Sequence, residues 1–164
     1  MLHSLILLSG FPASGKSHFG EWLKLNRGYL HIDAELPDGF GSRGLKHLWD
    51  CGINSCDFTQ FASAIGRPAV VNWGFPVTYI SQVRGIVQAG FVPIWLNATD
   101  AAARIAYARR GTGYPSALET QLQGIKSGWQ SIHDVFAPRI FLAIEDSGVH
   151  IPPESLCKNI EELI

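Results

Sequence analysis

The sequence has few cysteines, no long apolar run and no excess of charge of either sign. Its three cysteines include the pair Cys51 and Cys56, which has no second pair of cysteine or histidine nearby. Neither a disulfide framework nor a zinc site is therefore expected, and the thiols are interpreted as reduced, which indicates a cytoplasmic protein. No apolar run approaches the roughly 18 residues of a membrane helix. A formal net charge of −1 argues against a nucleic-acid or anionic-membrane binder.

The chain is rich in apolar residues. They make up 46% of the 164 residues, against 16% charged, which suffices for a hydrophobic core and excludes a disordered chain. The length favours a single domain over residues 1–164. The apolar run near the start has no basic residues before it and ends in a glycine-rich loop, so it is interpreted as a buried strand and not as a signal peptide.

Short apolar runs alternate with segments of helical spacing. The runs that predict strands are 5–8, 29–32, 69–73, 91–96 and 140–144. Among the helices between them, one is expected to be capped by Thr99 and another to begin with a capping box formed by Ser116 and Glu119. This alternation predicts an α/β fold with a parallel sheet and helices on both faces. Ligands bind such sheets outside the carboxyl ends of the strands.

The clearest chemical signal is the segment Gly-Phe-Pro-Ala-Ser-Gly-Lys-Ser over 10–17, which fits the phosphate-loop pattern G-x-x-x-x-G-K-[ST] between a strand and a helix. Its glycines let backbone N–H groups point at phosphate oxygens, and the helix N-terminus adds further donors. Lys16 is expected to reach the β- and γ-phosphates of ATP, and Ser17 to bind Mg²⁺. The other predicted nucleotide-binding residues of the loop are Gly10, Pro12, Ala13, Ser14 and Gly15.

In this form the loop resembles that of small P-loop kinases of the nucleoside-monophosphate-kinase-like fold, including polynucleotide 5′-kinases, chloramphenicol phosphotransferase-like kinases and zeta-toxin-like kinases. The resemblance spans nearly the whole chain in layout and is specific at the loop. It implies a P-loop NTPase three-layer sandwich with a five-stranded parallel sheet. It also implies an acceptor-binding insertion over about 34–67 and an arginine-bearing lid over about 100–118. No acceptor motif of gluconate, shikimate or adenylate kinases is present.

Two polar residues stand at predicted strand ends. In the kinases that the chain resembles, the Asp matching Asp33 accepts the proton of the acceptor hydroxyl or orients that hydroxyl, and Asp33 is also a candidate Mg²⁺ ligand. The alternative is a carboxylate that caps a turn. Asn72 stands where this fold often has an acidic residue, so metal binding would rest on Ser17, the phosphates and Asp33.

Three arginines precede the glycine-rich break at 111–113. Guanidinium groups suit bidentate contacts to phosphate. Arg109 and Arg110 are therefore predicted catalytic residues, with Arg109 favoured because it is nearer the ordered helix, and Arg104 is predicted to contact the nucleotide. A lid hinged at the glycines would close over ATP and exclude water. The alternative is a solvated basic helix face.

The segment 34–67 is expected to select the acceptor, because it combines aromatic with basic residues. These residues are Phe40, Arg43, Lys46, His47, Trp49, Phe58 and Phe61, of which the last two are expected in a satellite core. The leading hypothesis is an ATP- and Mg²⁺-dependent kinase of a small-molecule hydroxyl, on a nucleoside, a sugar or an antibiotic-like compound. The alternatives are a polynucleotide 5′-hydroxyl kinase, which the near-neutral charge disfavours, and a non-catalytic nucleotide-binding module, which Asn72 leaves open. The sequence indicates no oligomeric state.

Overall fold

The structure, a computed structural model, describes residues 5–34, 57–111 and 113–163. Most of the predicted acceptor-binding insertion lies outside the described residues, as do Cys51 and Cys56. No helix in the described ranges is long and apolar enough to cross a membrane.

Five strands and six helices make up the described part of the chain. The strands are β1 Leu5–Gly10, β2 Leu30–Asp33, β3 Ala69–Asn72, β4 Val92–Asn97 and β5 Ile140–Leu142. The helices are α1 Lys16–Arg27, α2 Phe58–Ile65, α3 Ile80–Gln88, α4 Asp100–Arg110, α5 Pro115–Phe136 and α6 Pro153–Leu163, with a 3-10 turn at Val77–Tyr79. The alternation of strands and helices predicted from the sequence is confirmed.

The strands form one sheet in the order β2-β3-β1-β4-β5, and every pairing is parallel. The predicted fold class is therefore confirmed. The chain runs from β1 outward to one side for β2 and β3, and returns to the other side for β4 and β5. This reversal places a crevice at the carboxyl end of β1, where ligands of open parallel sheets bind. The glycine-rich loop follows β1 at that point.

The two faces of the sheet carry separate cores, because side chains alternate along a strand. Ile6 and Leu8 pack on one face with residues of α1 and α6, such as Phe19 and Ile160. Leu7 faces the other way and belongs to the larger core that α2, α3, α4 and α5 cover. The helices on both faces complete the three-layer arrangement.

The sequence signals predicted the start of α4 correctly. They were wrong at the start of α5 and at the end of β5. Thr99 caps α4 by accepting a hydrogen bond from the backbone N–H of Ala102 at 3.2 Å. The capping box predicted at Ser116 is wrong: α5 begins at Pro115, whose fixed φ suits the first turn. The fifth strand ends at Leu142 and not at 144, because Ile144 forms an antiparallel bridge instead.

Candidate functional site

The loop after β1 has a backbone that only certain residues can adopt. Gly10 has φ +149°, and a Cβ there would overlap the backbone of Leu96 in β4. Gly15 has φ +84° and precedes α1 with no side-chain cap. Because no side chain caps α1, its first N–H groups are available to an anion. Ala13 also has a positive φ, of 58°, so the loop holds a strained conformation of the kind that functional sites maintain.

Two polar side chains of this loop face a ligand position. Ser14 is 3% exposed, and its hydroxyl has no hydrogen-bond partner among the described residues. A buried hydroxyl of this kind is stabilised by an added acceptor such as a phosphate oxygen. Lys16 curls back over the loop, and its Nζ donates to the carbonyl oxygens of Phe11 at 2.9 Å and Gly10 at 3.3 Å. Its ammonium group is therefore held at the loop itself.

A cavity of about 720 Å³ opens beside this loop; we call it the phosphate-loop cavity. It is lined by Ala13, Ser14, Gly15, Lys16, Ser17, His18, Asp33, Ala106, Arg109, Arg110, Gly148, Val149 and His150. Three lining side chains are cations at neutral pH and one is a carboxylate, so the described lining has a net positive charge. Its volume and its charge suit a polyanion such as a nucleoside triphosphate.

Oxygen donors meet at one end of the phosphate-loop cavity. The hydroxyl of Ser17 donates to Asp33 Oδ2 at 2.9 Å, and Asn72 Nδ2 donates to Ser17 Oγ at 3.4 Å. Parallel pairing of β2 with β3 puts Asp33 beside Asn72. A hydroxyl and a carboxylate are hard oxygen ligands of the kind that Mg²⁺ prefers together with phosphates. No group of three His, Cys, Asp or Glu side chains suited to a metal occurs in the described ranges, so phosphate oxygens would have to complete such a site.

Asn72 is also the inner end of a buried hydrogen-bonded chain. It is 1% exposed, and its Oδ1 contacts His31 Nε2. The other ring nitrogen of His31, Nδ1, lies 3.3 Å from the carboxylate of Glu21. Hydrogen bonds from Lys24 and from His31 lower the pKa of Glu21. The chain Glu21–His31–Asn72 therefore fixes the amide that contacts Ser17.

The partly buried ring of His31 packs against a glycine of α1. Gly20 lies inside α1, and a Cβ there would overlap the ring of His31. Glycine inside a helix is normally unfavourable, so its presence marks a close approach. Sequence reasoning gave His31 no role, and the only available signal was this glycine in the middle of an amphipathic helix.

The three arginines predicted to be site residues lie in two different environments. Arg109 and Arg110 occupy the last turn of α4 and line the phosphate-loop cavity. Arg104 is absent from that lining. Its guanidinium instead binds the Glu119 carboxylate of α5 through both terminal nitrogens. The structure therefore does not bring Arg104 to the predicted nucleotide contact, and its pairing with Glu119 joins α4 to α5.

A second residue without a predicted role, His150, contacts the loop directly. Its Nε2 donates to the carbonyl of Ala13 at 2.6 Å, and its ring lies against Gly15. Gly148 and Val149 beside it also line the phosphate-loop cavity. Asp146, in the same loop, accepts a hydrogen bond from the Thr99 hydroxyl at 3.4 Å. The loop after β5 therefore contributes Gly148, Val149 and His150 to the wall of the cavity.

A second cavity, of about 780 Å³, lies on the other side of the glycine-rich loop; we call it the aromatic cavity. Its walls come from the loop, the segment after β3, and α5, and they include the large rings of Trp73, Phe75, Trp95 and Tyr107. It shares Ala13, Lys16 and Arg110 with the phosphate-loop cavity. The phosphate-loop cavity and the aromatic cavity thus meet at two cationic side chains, Lys16 and Arg110.

Several solved kinases share this architecture. The chain is similar to a shikimate kinase from Bacteroides thetaiotaomicron, with a TM-score of 0.64, 16% identity and 96% of each chain covered. It is also similar to a gluconokinase from Sinorhizobium meliloti 1021, with a TM-score of 0.53 and 19% identity over 97% of this chain and 94% of that one. A sugar kinase from Janibacter sp. HTCC2649 matches with a TM-score of 0.51 and 16% identity over 96% and 90% of the two chains.

These similarities show the fold: the chain has the architecture of small P-loop kinases. At 16% to 19% identity they carry no acceptor over to this protein. No family model matches the sequence, and no curated protein matches it significantly.

Proposed function

We propose that the protein is an ATP- and Mg²⁺-dependent kinase that transfers the γ-phosphoryl group to a hydroxyl of a small molecule. The observation that carries the proposal is the meeting of the two cavities at Lys16 and Arg110. A phosphoryl group passing from a nucleotide on one side to an acceptor on the other must cross that junction. Two cations there would balance its charge throughout the transfer.

The phosphate-loop cavity would hold the nucleotide. The backbone of the loop, the first N–H groups of α1 and the free hydroxyl of Ser14 supply donors to phosphate oxygens. Lys16 is held at the loop by carbonyl oxygens and adds a point charge next to them. Arg109 lines only this cavity, so we assign it to the nucleotide phosphates and assign Arg110 to the transferred group.

Ser17 and Asp33 would hold Mg²⁺ with the phosphates, since they form the oxygen pair at the end of this cavity. The ion would supply charge neutralisation on the β- and γ-phosphates. Asn72 would act indirectly, because its amide is held between His31 and Ser17 and so fixes the position of the hydroxyl. The loss of an acidic residue at that position is then partly offset by Asp33, which is paired with it across the sheet.

In the transfer itself, the acceptor oxygen forms a bond to the γ-phosphorus while the bond to the β–γ bridging oxygen breaks. The electron pair leaves with ADP, and the hydroxyl proton must go to a base. Asp33 is the carboxylate in the described lining of the phosphate-loop cavity and does not line the aromatic cavity, so we assign the proton to it for a hydroxyl that reaches the γ-phosphate through the junction of the two cavities. Phosphoryl transfer depends on positioning and charge more than on a strong base, so Asp33 can orient the hydroxyl and hold the metal together.

A nucleotide-binding module without turnover is the second candidate, and Asn72 is the residue that favours it. An amide adds no charge to a metal site, and this one is already engaged by His31. Such a module would bind ATP but would consume none with any acceptor.

The test is a transfer assay with [γ-³²P]ATP and Mg²⁺ on a panel of nucleosides, sugars, sugar acids, aromatic alcohols and oligonucleotide 5′-ends. We expect label transfer to at least one small hydroxyl compound and none to the oligonucleotides. ATP binding measured by calorimetry, with no transfer across the whole panel, would support the non-catalytic module. Absence of ATP binding would contradict both candidates.

A further inference from the structure

We propose that His150 is a positioning residue, whose hydrogen bond to the Ala13 carbonyl holds the glycine-rich loop in the conformation that binds phosphates. This inference rests on the proposed function in one respect, because it takes the ligand of the loop to be a polyphosphate. Nε2 of His150 lies 2.6 Å from the carbonyl oxygen of Ala13, which is 137 residues earlier in the chain. A carbonyl oxygen can only accept a hydrogen bond, so Nε2 carries a proton and donates it.

The residue that receives this hydrogen bond has a strained backbone. Ala13 is the non-glycine residue with a positive φ in the described ranges, at 58°. A side chain disfavours that conformation, which persists only where surrounding contacts hold it. The peptide after Ala13 is held at both polar groups, since the N–H of Ser14 donates to the Phe11 carbonyl at 3.2 Å. That contact lies within the loop, so His150 adds an anchor from outside it.

The imidazole ring makes a second contact with the loop. Gly15 has φ +84°, and a Cβ there would lie 3.3 Å from the ring of His150. The ring therefore packs against the residue that immediately precedes α1, while its N–H holds Ala13. These are the two neighbours of Ser14, whose buried hydroxyl has no hydrogen-bond partner among the described residues. One side chain thus fixes the backbone on both sides of a donor assigned to phosphate.

His150 is itself carried by a well-fixed turn after β5. The N–H of Glu145 donates to the Val149 carbonyl and the N–H of Gly148 donates to the Glu145 carbonyl, both at 2.8 Å. His150 pairs with Ile144 in an antiparallel bridge. At Gly148, a Cβ would overlap a side chain of α4, so the turn packs closely on that helix. The imidazole is therefore exposed but is placed by a rigid part of the backbone.

The expected consequence is on ligand binding and not on folding. His150 is exposed, so replacing its side chain opens no cavity in the core. Affinity for a ligand falls in proportion to the fraction of protein that has the competent loop. Loss of one hydrogen bond corresponds to a decrease of about tenfold. Because the loop would contact phosphates, the decrease should be the same for ATP and for a polyphosphate without a nucleoside.

The experiment separates the two contacts of His150. His150→Phe keeps a ring against Gly15 and removes the donor, whereas His150→Gln keeps an N–H donor at similar reach and removes the ring. Calorimetry measures binding of a non-hydrolysable ATP analogue and of inorganic tripolyphosphate. We expect His150→Phe to weaken both by about tenfold and His150→Gln to stay within about twofold of the wild type. His133→Phe, at an exposed histidine of α5 that lines neither cavity, should leave both unchanged. Thermal unfolding checks that each variant folds.

A second measurement tests the conformational mechanism. Glycine adopts a positive φ without strain, so a loop with Ala13→Gly needs no outside anchor at this residue. In that background we expect His150→Phe to weaken tripolyphosphate binding by about twofold or less, instead of about tenfold. An equal loss in both backgrounds would assign His150 to a direct contact with phosphate and overturn the inference.

Three other results would overturn it: wild-type binding in His150→Phe, an equal loss in His150→Gln, or a loss for the ATP analogue alone, which would make His150 a contact of the nucleoside. Failure of the kinase proposal looks different, because all these measurements are made without turnover. Wild-type protein that binds both ligands and transfers no phosphoryl group would contradict the kinase proposal and leave the role of His150 intact. Wild-type protein that binds neither ligand would contradict both.

Discussion

The phosphate-loop cavity and the aromatic cavity share Lys16 but are built in different ways. The continuous segment 13–18 supplies six of the thirteen residues that line the first, and Lys16 is fixed within it by the 2.9 Å bond to Phe11. The second is assembled from segments far apart in the chain, including Trp73, Trp95 and Gly124, and it is held by ring packing. The difference teaches that a large part of the first cavity is carried by local backbone, whereas the second exists only once the sheet and α5 have come together.

Lys16, one of the three residues common to both cavities, should give the largest effect. Lys16→Ala removes the charge at the junction, so phosphoryl transfer should fall by about 10³-fold, the scale of losing one preorganised donor to a developing charge. Affinity for an ATP analogue should fall as well. Transfer rates and calorimetry check this prediction. Lys158→Ala on α6, where the side chain is 77% exposed, is the matched control; wild-type affinity and rate in Lys16→Ala would refute the phosphate-loop assignment.

The sequence predicted the first cavity far better than the second. The phosphate loop could be read directly, because its function requires glycine at special backbone positions and Lys and Ser at fixed spacing. Asp33 could be placed at the carboxyl end of the second predicted strand, and its role followed from the resemblance. The predicted fold class follows from apolar runs and their alternation with helices, which is a local property of the chain.

The features that could not be predicted from the sequence depend on contacts between residues that lie far apart in the chain. The sequence predicts a nucleotide contact for Arg104 because guanidinium groups suit phosphate, and no local signal shows that Arg104 pairs with Glu119 of the next helix. No role could be predicted for His31 or for Gly20 from the sequence, because only their contact in the folded chain explains why both are there. The aromatic cavity likewise has no motif, since Trp95 and Gly124 become neighbours of one space only in the folded chain.

A change at Asp33, in the end of the phosphate-loop cavity proposed to hold Mg²⁺, should give the next largest effect. Asp33→Asn keeps the shape but removes the charge that pairs with Ser17. We expect transfer to fall by about 10²-fold or more, and the Mg²⁺ concentration for half-maximal rate to rise. Steady-state rates at several Mg²⁺ concentrations measure both quantities.

Asp134→Asn is the control for this change, because Asp134 is an exposed residue of α5 that lines neither cavity. An unchanged rate and an unchanged Mg²⁺ requirement in Asp33→Asn would reduce Asp33 to a turn residue. A lower rate with an unchanged Mg²⁺ requirement would leave the acceptor hydroxyl as its only target.

Substitutions of the two arginines in the last turn of α4 should distinguish the roles of the two cavities. Arg110 lines both, so Arg110→Ala should lower kcat by about tenfold or more, because the charge it balances grows in the transition state. Arg109 lines only the phosphate-loop cavity, so Arg109→Ala should mainly raise KM for ATP. Arg110→Lys should restore part of the rate, since Lys cannot make the bidentate contact. The reverse pattern of kcat and KM would exchange the two roles.

The smallest expected effects are on stability. They come from substituting two helix glycines, one at the aromatic cavity and one near the phosphate-loop cavity. Gly124 faces open space at the aromatic cavity, so Gly124→Ala should raise the free energy of unfolding by about 0.5–1 kcal/mol, the usual gain of Ala over Gly inside a helix. Gly20 faces the ring of His31, which contacts Asn72 at the phosphate-loop cavity. Gly20→Ala should therefore lower the free energy of unfolding by about 1–3 kcal/mol through overpacking. Urea denaturation measures both.

A double-mutant cycle decides whether the His31 ring causes the cost at Gly20. His31→Ala alone should destabilise the protein, because it leaves the buried Asn72 carbonyl without its partner. In that background the added methyl group has room, so Gly20→Ala should cost nothing or stabilise slightly. The two changes should thus be strongly non-additive, as expected of residues in contact. Additive effects would show that α1 needs glycine for another reason and that the Glu21–His31–Asn72 chain does not depend on it.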